Sequence, residues 1–216
     1  MKKVMIKILL MTIAFLVNSF SFSVADVQAN LWRAAIDGNI AMAQEALNLG
    51  ADVNKQNRIK RTALMFAGIQ GNVPMIKFLL NAGANIDAAP RTGRTALSFA
   101  AGDNHLPAVA LLLEYGANPD IATKLSKVTP LMKVADEGYA PIAALLLANG
   151  ADMYLKNSEG QTALDIAKKK GNVAVVKVIE DFIAKRRKEV SEEILKTRPE
   201  TYPAITEEIA EFEIGK

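Results

Sequence analysis

The sequence predicts an all-α repeat fold, because two short motifs recur along the chain at one common period. Gly-Ala occurs four times at spacings of 33, 33 and 34 residues, and Thr-Ala-Leu or Thr-Pro-Leu occurs four times at spacings of 33, 34 and 33 residues. Two markers with the same period indicate repeated structural units. The Gly-Ala pairs begin at Gly50, Gly83, Gly116 and Gly150, and the other motif begins at Thr62, Thr95, Thr129 and Thr162.

Each predicted unit consists of a helix, a turn, a second helix and an extended loop. The motif threonine suits the N-cap of the first helix, and Pro130 suits the first helical position. Nine residues after each threonine comes a glycine or Asn104, which suits a turn with positive φ. Pro74, Pro107 and Pro141 share one phase three residues later, where proline can begin the second helix. An apolar run and the Gly-Ala turn complete the unit.

These motifs resemble those of the ankyrin-repeat family, whose units carry Thr-Pro-Leu-His near the start and Gly-Ala-Asp-Val-Asn near the end. Residues 50–54 match the second pattern in full, and the resemblance covers about residues 29–183. It implies an ankyrin-repeat solenoid of about five helix-turn-helix units joined by β-hairpin-like loops. The chain departs from the pattern where the family's histidine is Met65, Ser98, Met132 or Asp165.

The hairpin glycine of the family is present as Gly93 and Gly160 but is replaced by Lys60 in the second unit, and the fourth hairpin, which is one residue longer, lacks it too. We therefore expect residues 57–61 and 124–128 to be the least regular loops. Irregular loops on a rigid scaffold are frequent sites of function.

Three regions are predicted along the chain. Residues 1–25 are expected to be a signal peptide, residues 26–183 the repeat domain, and residues 184–216 a charged capping helix followed by an acidic tail. Terminal units that depart from the repeat pattern are typical of an open stack, whose ends must be capped. The units are expected at about residues 29–54, 55–87, 88–120, 121–153 and 154–183.

The N-terminal segment has the three parts of a secretory signal: lysines within the first seven residues, an apolar run over residues 8–17, and small residues ending at Ala25. Ala29 is a second candidate cleavage point. The apolar run is about half the length of a membrane span. We expect export to a bacterial periplasm, with secretion as the second alternative and a signal anchor in the inner membrane as the third.

Removing residues 1–25 takes away three lysines and no acid, so 26 basic residues become 23 against 23 acidic residues, and the net charge falls from +3 to zero. A neutral chain has no global attraction to nucleic-acid phosphates or anionic lipids. The chain has no cysteine, which excludes disulfides, thiolate metal sites and cysteine nucleophiles. We expect no nucleic-acid partner and no stable membrane span after signal cleavage.

Candidate catalytic residues are few, since the chain has one histidine and lacks a phosphate-binding glycine loop and paired metal-ligand spacing. His105 occupies the phase that Asn39, Asn72 and Asn172 occupy in other units, and we interpret all four as stabilising the turn between helices. We therefore expect no enzyme activity, no cofactor and no metal. One enzymatic alternative is a site in the tail after Pro199, and deletion of residues 197–216 would test it.

The predicted function is to bind a protein partner through the hairpin tips and the adjoining face of the first helices, the mode that the resemblance implies. A secreted effector that binds host proteins is the alternative, and recovery from the culture medium would favour it. The candidate partner-binding residues are Arg58, Ile59, Arg61, Ile69, Gln70, Arg91, Thr92, Arg94, Asp103, Leu125, Ser126, Asp136 and Glu137.

Charge and aromatic patterns add two interpretations. The hairpins carry seven basic residues, which we interpret either as exposed charge without function or, equally, as one ridge that attracts an acidic partner surface. Phe66 and Phe99 share one phase in consecutive units, and we interpret them as core packing. The basic residues are Arg58, Lys60, Arg61, Arg91, Arg94, Lys124 and Lys127.

Overall fold

The computed structural model describes residues 24–197, which form ten helices joined by loops, with no strand among these residues. The predicted all-α class of helix-turn-helix units is confirmed. Most of the predicted signal peptide and the acidic tail lie outside the described residues. The helices are α1 (Val24–Asp37), α2 (Ile40–Asn48), α3 (Ala63–Ile69), α4 (Val73–Asn81), α5 (Ala96–Gly102), α6 (Leu106–Glu114), α7 (Pro130–Glu137), α8 (Ala140–Ala148), α9 (Ala163–Lys170) and α10 (Val173–Thr197).

The chain divides into two compact units, Met1–Asn85 and Ile86–Lys216. In the described part of the first unit, α1 packs against α2 and α3, and α4 packs against α2 and α3. Its core is formed by side chains such as Leu31, Leu64, Met75 and Leu79, all fully buried. Small residues on α1 and α3 let these helices approach closely, because alanine adds little bulk between two backbones.

The second unit contains α5 to α10, arranged as two layers. The first helices of its repeats, α5, α7 and α9, pack side by side, and so do the second helices, α6, α8 and α10. Leu97, Leu112, Leu131 and Leu146 fill the space between the layers and are buried. The last helix α10 is continuous across residue 183, so residues 184–196 extend the second helix of the fifth repeat.

The predicted helix caps are confirmed. The hydroxyl of each motif threonine accepts a hydrogen bond from the backbone N–H three residues later, at the start of α3, α5, α7 and α9. The phased prolines lie in the first turns of α4, α6 and α8. Asp165, where the family has histidine, completes a capping box with Thr162. Met65 and Met132 occupy the same position in other repeats as buried core residues.

Within each of the two compact units, a polar side chain in the loop of one repeat forms a hydrogen bond with the loop backbone of the next repeat. In the first unit, Asn54 accepts a hydrogen bond from the N–H of Asn85 at 2.7 Å and donates to the carbonyl of Gly83 at 3.1 Å. In the second unit, Asp120 accepts in the same way from the N–H of Asp152 at 2.9 Å. This recurring bond satisfies a backbone donor that the extended loop leaves without a ladder partner.

In the first repeat, Gln28 of α1 makes the equivalent contact from a helix. Its side chain is 8% exposed, donates to the carbonyl of Asp52 at 3.1 Å and accepts from the N–H of Asp52 at 2.9 Å. Val27 beside it is also buried. Val27 and Gln28 therefore hold the N-terminal end of α1 against the rest of the first compact unit.

Candidate functional site

The second hairpin (residues 57–61) presents Ile59 at its tip, with the side chain 63% exposed. The side chain of Asn57 accepts hydrogen bonds from the N–H groups of Ile59 and Arg61, both at 3.0 Å. The same three positions make the same bonds in the fifth hairpin (residues 157–161). The expectation of an irregular second hairpin is therefore wrong: Lys60 adopts φ +63° and takes the glycine's left-handed conformation.

The fourth hairpin (residues 123–128) presents Leu125, which is 94% exposed. The hydroxyl of Thr123 accepts a hydrogen bond from the N–H of Val128 at 2.9 Å and lies 2.8 Å from the hydroxyl of Ser126. Lys127 takes the left-handed conformation here, with φ +51°. An exposed aliphatic side chain is thus held on a loop whose backbone is fixed from within.

The third hairpin (residues 90–94) contains the candidates Arg91 and Thr92, both exposed. The carbonyl of Thr92 accepts a hydrogen bond from the N–H of Lys124 at 3.0 Å, which joins this loop to the fourth hairpin. A Cβ atom added to Gly93 would lie 2.6 Å from the carbonyl oxygen of Ala122. Glycine is required here by close backbone approach as well as by its φ of +79°.

Two residues predicted to belong to the basic ridge instead lie over aromatic rings. The guanidinium carbon of Arg94 is 4.1 Å from the ring centroid of Phe99, and that of Arg61 is 5.9 Å from the ring centroid of Phe66. Such contacts attract a cation to the face of the ring. Both arginines are half-buried, so they are less accessible to a partner than the exposed members of the predicted ridge. The repeated five-residue spacing from arginine to phenylalanine was the signal in the sequence.

The interpretation of Phe66 and Phe99 as core packing is confirmed, since both rings are buried. The other predicted ridge residues, Arg58, Lys60, Arg91, Lys124 and Lys127, are exposed.

The acidic candidates on the first helices differ in their surroundings. Asp136 forms an ion pair with Lys170 at 2.8 Å, and Glu137 forms one with Lys133. The hydrogen bond and the charge of Asp136 raise the pKa of Lys170 above its ordinary value. A partner that binds Asp136 or Glu137 must therefore either displace the paired lysine or bind beside the intact ion pair. Asp103 is exposed at the end of α5.

The remaining candidates lie at the end of α3, where Ile69 is half-buried and Gln70 is exposed. The backbone N–H of Gln70 donates to the carbonyl of Phe66 at 3.0 Å and closes the helix. These two side chains occupy the edge of the first-helix face in the first unit.

Turn stabilisation by the four residues in the phase of His105 is confirmed for two of them. Asn39 and Asn72 accept hydrogen bonds from Met42 and Met75 and cap their helices. His105 makes no side-chain capping bond. Asn172 instead donates to the carbonyls of Ala135 and Asp136 of the preceding repeat, at 2.8 and 3.0 Å. The sequence did not predict this contact, because the acceptor carbonyls are 37 and 36 positions away from Asn172 in the chain.

A groove of about 920 Å³, which the sequence did not predict, lies in the first unit between α1 and the loop that follows α2. Trp32 lines it and donates from its indole nitrogen to the carbonyl of Lys55 at 3.1 Å. Arg58 and Ala29 line it as well. The groove lies beside the first repeat. A partner that contacts Arg58 therefore has room beside the Trp32 ring.

Within residues 24–197, the structure shows no group of three or more side chains placed to hold a metal ion. The same residues contain no buried side-chain nitrogen or oxygen without a hydrogen-bond partner. None of the described helices is both long enough and apolar enough to cross a bilayer.

The chain belongs to the ankyrin-repeat family. The family description "Ankyrin repeats (3 copies)" matches residues 31–124, and "Ankyrin repeats (many copies)" matches residues 120–167. Ankyrin repeats are generally non-catalytic, and their presence implies that this chain contains a protein–protein interaction module. The position of the matches agrees with the repeats described above.

One relative is a probable E3 ubiquitin-protein ligase of Oryza sativa subsp. japonica, which is 41% identical over 56 residues. The alignment covers 26% of this chain and 11% of that protein. The chain therefore spans only a small part of the relative, and the ligase activity in the name concerns the relative.

Proposed function

We propose that this ankyrin-repeat protein is exported to the bacterial periplasm, where it binds one protein partner and regulates or stabilises it. The observation that carries the binding mode is the exposure of Ile59 and Leu125 at the tips of internally bonded hairpins. An aliphatic side chain on a preformed loop can enter a partner's pocket at little entropic cost.

Basic residues flank both tips. Arg58 and Lys60 border Ile59, and Lys124 and Lys127 border Leu125. These charges favour a partner whose apolar pocket is surrounded by carboxylates, because complementary charge speeds encounter and disfavours other partners. Each tip is thus a candidate contact in its own unit.

Support for export comes from the N-terminal sequence together with the first helix. Cleavage after Ala25 leaves the buried residues Val27 and Gln28 in the mature chain. Cleavage after Ala29 would remove them, together with both hydrogen bonds to Asp52. We therefore favour Asp26 as the mature N-terminus.

The test is a crosslinked pull-down of the tagged mature chain from separated periplasm, cytoplasm and medium. We expect one protein to be recovered from the periplasm with the parent chain. A tip variant that combines Ile59→Ser and Leu125→Ser is expected to recover none of it. Val173→Ser is the matched control, because Val173 is an aliphatic residue 76% exposed outside the hairpins. Equal recovery by the tip variant would overturn the binding mode, and recovery from the medium alone would favour a secreted effector.

A further inference from the structure

A second groove, called here the C-terminal groove, lies in the second unit between the end of α8 with its following loop and one face of α10. Its volume is about 510 Å³. Met153 and Tyr154 form one wall, and Phe182, Lys185, Arg186 and Glu189 form the other. The spacing of the α10 residues places them on one helical face. Tyr154 is exposed and Phe182 is half-buried.

One of the cations that line this groove has no acidic side chain paired with it among the described residues. Glu189 lies 3.8 Å from Lys185, and the carboxylate of Asp152 accepts a hydrogen bond from the N–H of Tyr154 at 2.8 Å. Arg186 is exposed and has no acidic partner among the described residues. The groove therefore suits a ligand that is apolar on one side and carries a carboxylate beside it.

The tail (residues 198–216) has this chemistry. Ile205, Ile209 and Phe212 recur at helical spacing. The tail holds five glutamates and two basic residues. The glutamates are Glu200, Glu207, Glu208, Glu211 and Glu213.

The length of the chain between the end of α10 and this apolar segment also fits. Thr197 lies fifteen positions after Phe182 on α10, a distance of about 22 Å at 1.5 Å per residue. The seven residues 198–204 can span up to about 23 Å when extended. Pro199 and Pro203 interrupt a continuation of the helix. The segment that begins at Ile205 can thus reach the groove from the chain's own C-terminal side.

We propose that residues 205–213 fold back and occupy the C-terminal groove, with their apolar side chains against Tyr154 and Phe182 and a glutamate paired with Arg186. The tail then covers apolar surface beside the last described repeat.

Because the chain has no cysteine, a single introduced thiol reports on access to the groove. Ala148→Cys places it in the groove without altering the proposed contacts, and Glu159→Cys places it on the exposed fifth hairpin of the same unit. We expect a thiol reagent to modify Ala148→Cys about fivefold more slowly in the full chain than in a chain ending at Thr197, the ratio for a groove occupied about four-fifths of the time. The Glu159→Cys rate should not change.

Two further variants separate the tail from other occupants. Phe212→Asp and Arg186→Glu, each made in the full chain, should restore fast modification of Ala148→Cys. Equal rates in the full and shortened chains would overturn the proposal. Protection that appears only as protein concentration rises would also overturn it, since the occupant would then be the tail of a second copy.

Discussion

The guanidinium carbon of Arg94 lies 4.1 Å from the centroid of the Phe99 ring, whereas Arg61 lies 5.9 Å from Phe66 in the preceding repeat. Both arginines directly precede a capping threonine, and both phenylalanines follow that threonine by four residues. The same sequence arrangement thus gives a close contact in one repeat and a distant one in the other.

Arg94→Ala is expected to lower the free energy of unfolding by about 1 kcal/mol, because it removes a cation from the ring face and uncovers Phe99. Arg61→Ala should cost less than half as much, since its guanidinium is farther from the ring. Urea unfolding followed by circular dichroism measures both values. Equal losses would show that the ring contact contributes nothing specific at Arg94.

A comparison of Gly38→Ala with Gly171→Ala separates two effects on the free energy of unfolding, the clash of an added Cβ atom and the strain of a left-handed alanine. Both glycines adopt nearly the same left-handed φ, +72° and +73°. A Cβ on Gly38 would lie 2.2 Å from the side-chain nitrogen of Asn72, while nothing lies within 4 Å of one on Gly171. Each substitution should lower the free energy of unfolding by about 1 kcal/mol, because alanine is strained in the left-handed conformation.

Gly38→Ala should cost about 1 kcal/mol more, because Asn72 must move and its cap on α4 is lost. Thermal unfolding of both variants measures the difference. Asn72→Ala should cost about 1 kcal/mol in the parent chain but almost nothing in the Gly38→Ala background, where the cap is already lost. An equal cost in both backgrounds would show that the clash does not displace Asn72.

Lys127→Gly and Lys124→Gly form a matched pair in the fourth hairpin, since each removes one lysine from the same loop. Lys127 adopts φ +51° and Lys124 has no positive φ. Glycine relieves left-handed strain at residue 127 but only adds unfolded-state entropy at residue 124. We expect Lys127→Gly to be more stable than Lys124→Gly by about 1 to 2 kcal/mol in chemical denaturation. A reversed order would contradict the observed backbone conformation.

Asp165 gives a pH-dependent contribution to stability. Its hydrogen bonds with the backbone and the hydroxyl of Thr162 lower its pKa below the ordinary value of 3.8. The folded state therefore holds this proton less tightly than the unfolded state, and the stabilisation is present above the ordinary pKa and lost as the pH falls through the folded one.

Asp165→Asn keeps an oxygen acceptor but removes the charge. The stability difference between the parent chain and this variant should be constant from pH 7 down to about 5 and should shrink below the ordinary aspartate pKa. Unfolding measured across this range tests it. A difference that grew on acidification would mean that the carboxylate is destabilising.

The sequence determined the repeat, its helix caps and its turns, because each depends on residues within a few positions of one another. Thr162 caps a helix that begins at the next residue, and Pro130 begins a helix at its own position. Positive φ at Lys60 and Lys127 could also be inferred from the glycine that occupies this phase elsewhere. Such local preferences hold in every repeat, which is why the periodicity alone predicted them.

The tertiary structure alone decided which candidate side chains remain free to meet a partner. Lys170 pairs with Asp136 across 34 positions of the chain, and Asn172 reaches the carbonyl of Ala135. Gln28 forms two hydrogen bonds with the backbone of Asp52, 24 positions away. These partners come from neighbouring repeats whose side chains vary independently of the motif, so the period predicts that two positions meet but not whether their charges pair. Ile59 and Leu125 stay exposed because no neighbouring repeat covers their tips.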